Sequence, residues 1–184
     1  MKYGLMMGRF QPFHFGHQHI VNEIMLDGLI PIIMIGSINK DRDITKNPLS
    51  LAQRIDTIRM IYPNPSDVLI TGAEDSKDWN IWFNNVLDAI KDVIPDFKIE
   101  DLTLYFHNKE TDIIDSFTID NKEFKNCFYT EVFKYKGFNM KPIEFVNRSD
   151  FKIDSNARDI RADIEGFRHF LDARIYKYLK VLGW

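Results

Sequence analysis

Gly8-Arg9-Phe10-Gln11-Pro12-Phe13-His14-Phe15-Gly16-His17 is the stretch whose reading decides the fold. It follows the apolar run Tyr3 to Met7, which suits a buried strand, and precedes Ile20, Val21, Ile24 and Met25, which recur at helix spacing. The pattern is strand, glycine turn, helix. Gly8 gives the backbone freedom as it leaves the strand, and Gly16 lets a ligand come close to the start of the helix. Unpaired N–H groups and the positive end of the helix dipole point outward there, so an anion is favoured. His14 and His17 are three residues apart with Gly16 between them. A turn entering a helix aims both imidazoles at one phosphate, where each donates a hydrogen bond to charge developing on the transferred oxygens. Half of a metal site is the competing reading of His-x-Gly-His. Against it, Cys127 is the only cysteine and no third histidine or carboxylate lies at ligand spacing nearby.

Outward from the motif, composition sets bounds. A chain of 184 residues with 45% hydrophobic content fits one domain, residues 1–184, with a sizeable core. The net charge of −3 argues against a phosphate-tracking surface, so nucleic acid is not an expected partner. One cysteine forms no internal disulfide, and Met1 leads into a core strand without a signal-peptide pattern. The longest apolar run, Leu29 to Gly36, is broken by Pro31 and falls far below the roughly 20 residues that cross a bilayer. A cytoplasmic protein without a membrane partner is expected.

A strand-then-helix rhythm runs along the chain. Ile30 to Ile35 reads as a parallel strand buried on both faces. The polar segment that follows, Ile38 to Pro48, carries Lys40, Arg42 and Lys46 at the carboxyl edge of the sheet, where open α/β folds bind ligands. Ser50 with Gln53 forms a capping-box pattern for the next helix. Arg54 in its first turn is unfavourable for the helix dipole, which points to a ligand or an ion pair. Val68 to Thr71 gives a third strand with an acidic exit at Glu74 and Asp75, Trp79 to Val93 an amphipathic helix, and Leu102 to Phe106 a fourth strand. The polar stretch Thr111 to Lys125 is expected to be irregular, with Phe117, Phe124 and Phe128 covering the sheet or an oligomer contact. Cys127 to Thr130 and Pro142 to Val146 read as strands around a turn at Gly137. Asp154, Ser155 or Asn156 caps a helix that carries Arg158 and Arg161, and the apolar stripe from Ile164 to Leu182 is core or oligomer interface.

The Gly-Arg-Phe-Gln-Pro-Phe-His-x-Gly-His run resembles the signature of the HxGH nucleotidyltransferase superfamily. Within it, the chain is most similar to nicotinamide mononucleotide (NMN) adenylyltransferases of the archaeal type, including those fused to a Nudix hydrolase. The resemblance implies an α/β fold, a Rossmann-like parallel sheet with helices on both faces, and the reaction of NMN with ATP to give NAD and pyrophosphate. Neither a Gly-x-Gly-x-x-Gly fingerprint nor a Walker loop is present, and no Nudix signature accompanies the motif. The resemblance places His14, His17 and Arg161 on the ATP phosphates, and Gly8, Arg9, Phe10, Phe13, Gly16, Gly36, Arg42 and Asn156 around ATP. It places Arg54, Asp75 and Trp82 around NMN. Trp82, seven residues after Asp75, stacks on the nicotinamide ring, with Trp79 as the competing candidate. Mg²⁺ arrives with the phosphates and needs few protein ligands. A homo-oligomer is expected. The later motif departs from the usual Ile-Ser-x-Thr-x-Ile-Arg, with Asn156 for serine and Arg158 for threonine. Two other readings stand beside this one: an HxGH transferase for another acceptor such as phosphopantetheine, and a nucleotide-binding regulator without turnover.

The stacking assignment predicts that Trp82→Ala raises the apparent KM for NMN by about five- to thirtyfold, roughly 1 to 2 kcal/mol, with the KM for ATP little changed. A core role for Trp82 predicts instead a loss of about 3 to 5 kcal/mol of stability. Thermal melts beside steady-state kinetics separate the two.

Overall fold

The computed structural model describes residues 1–43, 45–109, 112–145 and 157–184. In chain order the elements are β1 (Tyr3–Gly8), α1 (Phe15–Leu26), β2 (Ile30–Ile35), α2 (Leu51–Arg59), β3 (Leu69–Gly72), α3 (Trp79–Val93) and β4 (Leu102–Phe106). There follow β5 (Ile114–Ile119), β6 (Lys122–Cys127), α4 (Thr130–Tyr135), β7 (Asn139–Pro142), α5 (Ala157–Ala162) and α6 (Ala173–Val181). Five strands form one sheet in the order β3-β2-β1-β4-β7, and every pairing in it is parallel. The chain winds outward from β1 through β2 to β3, then crosses back to lay β4 on the other side of β1. The strand order therefore reverses between β1 and β4, and the carboxyl ends of these two strands part to leave a crevice.

Side-chain alternation explains the layers. Leu5, Ile32 and Met34 face one core with Phe83, Val86 and Ile90 of α3 and Val132 and Phe133 of α4. Met6, Ile33 and Ile35 face the other with Ile20, Val21 and Ile24 of α1, Ile58 of α2, and Ile175 and Leu179 of α6. Helices thus cover both faces, as a parallel sheet requires. The stripe from Ile164 to Leu182 resolves as core at Ile164, Phe170, Leu171, Ile175 and Leu179. Close packing of α1 on β1 needs Gly4, where a Cβ would lie 2.4 Å from Ile24 Cγ2. Gly8 is needed for a different reason from the one expected. It is not among the described residues with positive φ, and the obstacle to a side chain is the Phe10 ring, 2.8 Å from where a Cβ would sit.

The segment from Thr111 to Lys125, expected to be irregular, holds a hairpin in its described residues. The antiparallel strands β5 and β6 meet at Asp120 and Asn121, with φ of 50° and 62°. Positive φ at both central residues is the two-residue hairpin turn that matches strand twist, and Asp and Asn tolerate it. Phe117 and Ile119 of the hairpin bury against the α3 face. Cys127 to Thr130 is not a separate strand: Cys127 ends β6 and Thr130 starts α4. The sheet's last strand comes earlier than expected, at Asn139–Pro142, because Gly137 makes its turn at φ 87° directly after α4.

Gln11 joins this frame to the loop before α2. It is 2% exposed, and its carboxamide donates to the Leu49 carbonyl at 2.9 Å and accepts from the Leu49 N–H at 2.9 Å. Gln11→Ala leaves both backbone groups buried and unpaired. The expected cost is about 2 to 4 kcal/mol, or roughly 5 to 15 °C in Tm, read by calorimetry or circular dichroism.

Candidate active site

The crevice between β1 and β4 opens into a cleft of about 300 Å³. Met6, Met7 and Arg9 line it from β1 and its exit, His14, Gly16 and His17 from the start of α1, and Tyr105 to His107 from β4. Lys109, Asp112 and Tyr129 lie on the β4 side, and Ala157 and Arg158 of α5 complete the wall.

The two histidines organise the start of α1. His14 is its N-cap, and His14 Nδ1 accepts from the Gly16 N–H at 3.2 Å. His17 Nδ1 accepts in return from the His14 N–H at 3.2 Å. This is a capping box built from two imidazoles in place of Ser and Glu. A backbone N–H can only donate, so each Nδ1 presents its lone pair and the ring proton of each neutral imidazole sits on Nε2. The Gly16 N–H, expected to meet a ligand, is taken by His14. The rings stack with centroids 3.7 Å apart. Phe13 stacks on the His17 ring at 5.4 Å and Phe10 meets it edge-on at 4.8 Å. Phe10 and Phe13, expected against ATP, are 2% and 0% exposed and hold His17 in place from within the core.

Burial lowers the His14 pKa to about 3, with the Lys109 charge adding to it. His17 is pushed well below the usual imidazole range by burial, by His14 and by Lys109. Both rings are therefore neutral at neutral pH, which agrees with the tautomer that the caps impose.

Arginines secure the loops around this pair. Arg54, 3% exposed, donates through Nη1 to the carbonyls of Arg9 at 3.2 Å and Gly36 at 2.9 Å. Burial, and then the Arg9 charge, lower its pKa. Its Nε is buried without a partner among the described residues. Arg54 thus ties the exits of β1 and β2 together from below. Gly36 lies beside Gly8 and donates to its carbonyl at 2.9 Å. Arg42 donates to the Pro48 carbonyl through Nε at 3.2 Å and Nη2 at 2.9 Å. Arg161 donates to the carbonyls of Gln11 at 2.7 Å and Thr45 at 2.9 Å. It lines a second, larger cavity of about 630 Å³ with Arg42, Ile164, Leu182 and Trp184. Burial, Arg9 and Arg158 lower the pKa of Arg161 against the opposing pull of Asp159.

Asp75 and Trp82 lie at the carboxyl end of β3. The Asp75 carboxylate accepts from Ser37 Oγ at 2.7 Å, and its backbone exchanges two 3.0 Å hydrogen bonds with the Asn39 carboxamide. Trp82 is half-buried and meets Tyr129 edge-on at 6.3 Å and Phe133 at 5.9 Å. It approaches the cleft through Tyr129, which is part of the lining. Trp79 stacks instead on Phe117 of the hairpin at 4.1 Å. Asn156 lies outside the described residues. Sequence reasoning misses Tyr129; the run Leu-Tyr-Phe-His-Asn-Lys-Glu that carries Lys109 resembles the family's fourth strand and ligand loop, although it does not single out Lys109. Among the described residues, no group of three or more His, Cys, Asp or Glu is placed to hold a metal ion.

A parallel sheet whose switch-point crevice carries a capped His-x-Gly-His and a ring of cations defines an α/β fold of the nucleotidyltransferase type. The cytidylyltransferase-like family matches residues 5–138, and the chain belongs to that family. It is 25% identical over 175 residues to a nicotinamide-nucleotide adenylyltransferase of Methanococcus maripaludis, covering 95% of this chain and 86% of the relative. Another relative of that name, from Saccharolobus solfataricus, is 39% identical over 92 residues, covering 47% of this chain and 52% of the relative. A Francisella tularensis bifunctional NMN adenylyltransferase/ADP ribose pyrophosphatase superposes with a TM-score of 0.71 at 20% identity. The match covers 97% of this chain and 48% of that one, so this chain spans about half of the Francisella protein. A second structure of the Francisella protein, described as complexed with AMP and a manganese ion, superposes with a TM-score of 0.70 at 18% identity, covering 98% of this chain and 48% of that one.

The imidazole caps carry a pH dependence. Both folded-state histidine pKa values lie below the ordinary 6.5, so the unfolded chain binds more protons than the folded one below that value. Stability is retained above pH 6.5 and lost as pH falls from there toward the folded-state values. Between pH 7.5 and 5.5 each histidine removes about 1 to 1.5 kcal/mol. Urea unfolding at the two pH values should show this loss, and His14→Asn, which keeps a capping side chain, should remove about half of it.

Proposed function

We propose that this chain transfers the adenylyl group of ATP to NMN, forming NAD and releasing pyrophosphate. The observation that carries the reading is the pair of reciprocally capped histidines at the switch-point cleft of a cytidylyltransferase-like chain whose relatives are named nicotinamide-nucleotide adenylyltransferases. The 5′-phosphate oxygen of NMN attacks the α-phosphorus of ATP. The bond from that phosphorus to the oxygen bridging to the β-phosphate breaks, and its electron pair leaves with pyrophosphate. The attacking group is already an anion near neutral pH, so no side chain has to remove a proton. Catalysis then consists of alignment and charge stabilisation.

In this reading His14 and His17 donate from Nε2 to non-bridging phosphoryl oxygens as neutral groups. The caps fix both rings before substrate arrives, so little reorganisation accompanies reaction. Arg9 on the lining supplies positive charge, and Arg161 and Arg54 hold the backbone that carries Arg9 and Gln11. Asp75, fastened by Ser37 and Asn39, and Trp82, behind Tyr129, form the acceptor end, where an aromatic platform suits a pyridinium better than a pantetheine arm. The donor set fits a divalent ion that comes with its nucleotide, since Asp112 is the carboxylate of the lining and no protein cage is present among the described residues. Mg²⁺ supplies charge neutralisation on the phosphate oxygens when bound. A cytoplasmic location is part of the proposal. Among the described residues, no helix is long and apolar enough to cross a membrane.

The deciding assay is NAD formation from NMN, ATP and Mg²⁺, run beside phosphopantetheine as acceptor. NAD is the expected product, and turnover of phosphopantetheine alone would replace the acceptor assignment. His17→Asn, which can still accept the cap hydrogen bond, should lower kcat by about 10² to 10⁴ in a variant that still folds, as circular dichroism at the assay temperature checks.

A further inference from the structure

We propose that Tyr129 recognises the ribose of the acceptor nucleotide through its phenol hydroxyl, an assignment that rests on the adenylyl-transfer reading above. The residue joins the two ends of the site. Its ring meets Trp82 edge-on at 6.3 Å, and it lines the same cleft as His14 and His17. In a mononucleotide the ribose is the link between base and phosphate. A pyridinium at Trp82 with its phosphate at the histidines therefore carries its sugar past Tyr129.

The ring is held before any ligand arrives. Tyr129 immediately precedes α4, where the Val132 N–H donates to its carbonyl at 3.1 Å. Thr130, 2% exposed, accepts from Asn108 Nδ2 at 3.1 Å, which ties this point of the chain to the exit of β4. Phe133, wholly buried, packs edge-on against the Tyr129 ring at 6.2 Å. A phenylalanine would make all of these contacts equally well. The hydroxyl needs its own explanation, since the O–H of a tyrosine packed in this way usually finds a partner. Here it makes no hydrogen bond to another described residue and keeps contact with solvent. The Asp112 carboxylate, another part of the cleft wall, acts on the phenol, so the hydroxyl end of the half-buried ring is turned toward the cleft. Burial, and then the Asp112 charge, push the phenol pKa up to about 12, and the group keeps its proton at neutral pH. A neutral phenol both donates and accepts hydrogen bonds. A sugar hydroxyl is its match, since a pyridinium face offers neither role and a phosphate calls for charge.

The test is a double-mutant cycle between the parent and Tyr129→Phe on one side and NMN and its 2′-deoxy and 3′-deoxy forms on the other. It is read by calorimetric titration into the full chain and by steady-state kinetics with ATP and Mg²⁺. Tyr129→Phe should fold as the parent does, weaken NMN binding by about three- to tenfold and leave the KM for ATP within about twofold. One of the deoxy forms should bind the parent about three- to tenfold more weakly than NMN does, and should bind Tyr129→Phe as well as NMN does. Loss of that discrimination is a change that a packing role alone does not produce. Equal NMN affinity in parent and variant, or a deficit in the variant that persists with both deoxy forms, overturns the assignment. So does a deficit that falls on ATP and vanishes with 2′-deoxy-ATP or 3′-deoxy-ATP. A parent that shows the coupling with NMN but makes no NAD overturns the adenylyl-transfer reading alone, and a parent that binds no NMN overturns both.

Discussion

Everything near the site depends on two weak-looking contacts, the 3.2 Å hydrogen bonds that His14 and His17 accept from the backbone at the start of α1. They do several things together. They satisfy two of the N–H groups that a helix start leaves unpaired, they fix which ring nitrogen carries the proton, and they bring the rings into a stack. Two imidazoliums at a centroid separation of 3.7 Å would repel strongly, so the same geometry that aligns the rings keeps them neutral. Phe10 and Phe13 complete the constraint by occupying the space into which His17 could otherwise turn. The helix cap and the histidine pair are one structure.

Around that pair the chain uses buried cations as fasteners. Arg54 is almost wholly inside the protein, and among the described residues its guanidinium meets carbonyl oxygens rather than a carboxylate. A buried guanidinium without a counter-ion is costly unless its N–H groups find acceptors. The carbonyls at the exits of β1 and β2 supply them, and in turn are pulled toward each other. Gln11 performs the same task with a neutral carboxamide, standing in for a strand beside Leu49. The result is a rigid floor under a positively charged cleft, built from a chain that is acidic overall.

Parts of this were legible in the sequence because they rest on local chemistry. The strand-turn-helix at the motif, the Ser50 and Gln53 capping box and the limits of α3 depend on periodicity and on residues a few positions apart, and the structure has all three. Other parts depend on partners far away in the chain. A histidine is not an expected cap, and only the ring stack and the phenylalanines make it one here. Arg54 read as a ligand-facing cation because its charge opposes the helix dipole. Its burial beneath two strand exits follows from how β1 and β2 pack. The hairpin was missed at Asp120 and Asn121, a turn signal set between segments with few apolar residues. The place of Lys109 on the cleft wall follows from the return of β4 to the side of β1, a pairing between strands far apart in the chain.

The fastening of the motif has a consequence for the order in which the molecule is made. The Gln11 carboxamide finds Leu49 only 38 residues downstream, so that clasp can close soon after α2 emerges during synthesis. The carbonyl of the same residue is held by Arg161, which lies 150 residues later. A nascent chain therefore carries its histidine pair through 150 further residues before Arg161 can hold the Gln11 carbonyl. The turn that holds the histidines is made early and fastened late.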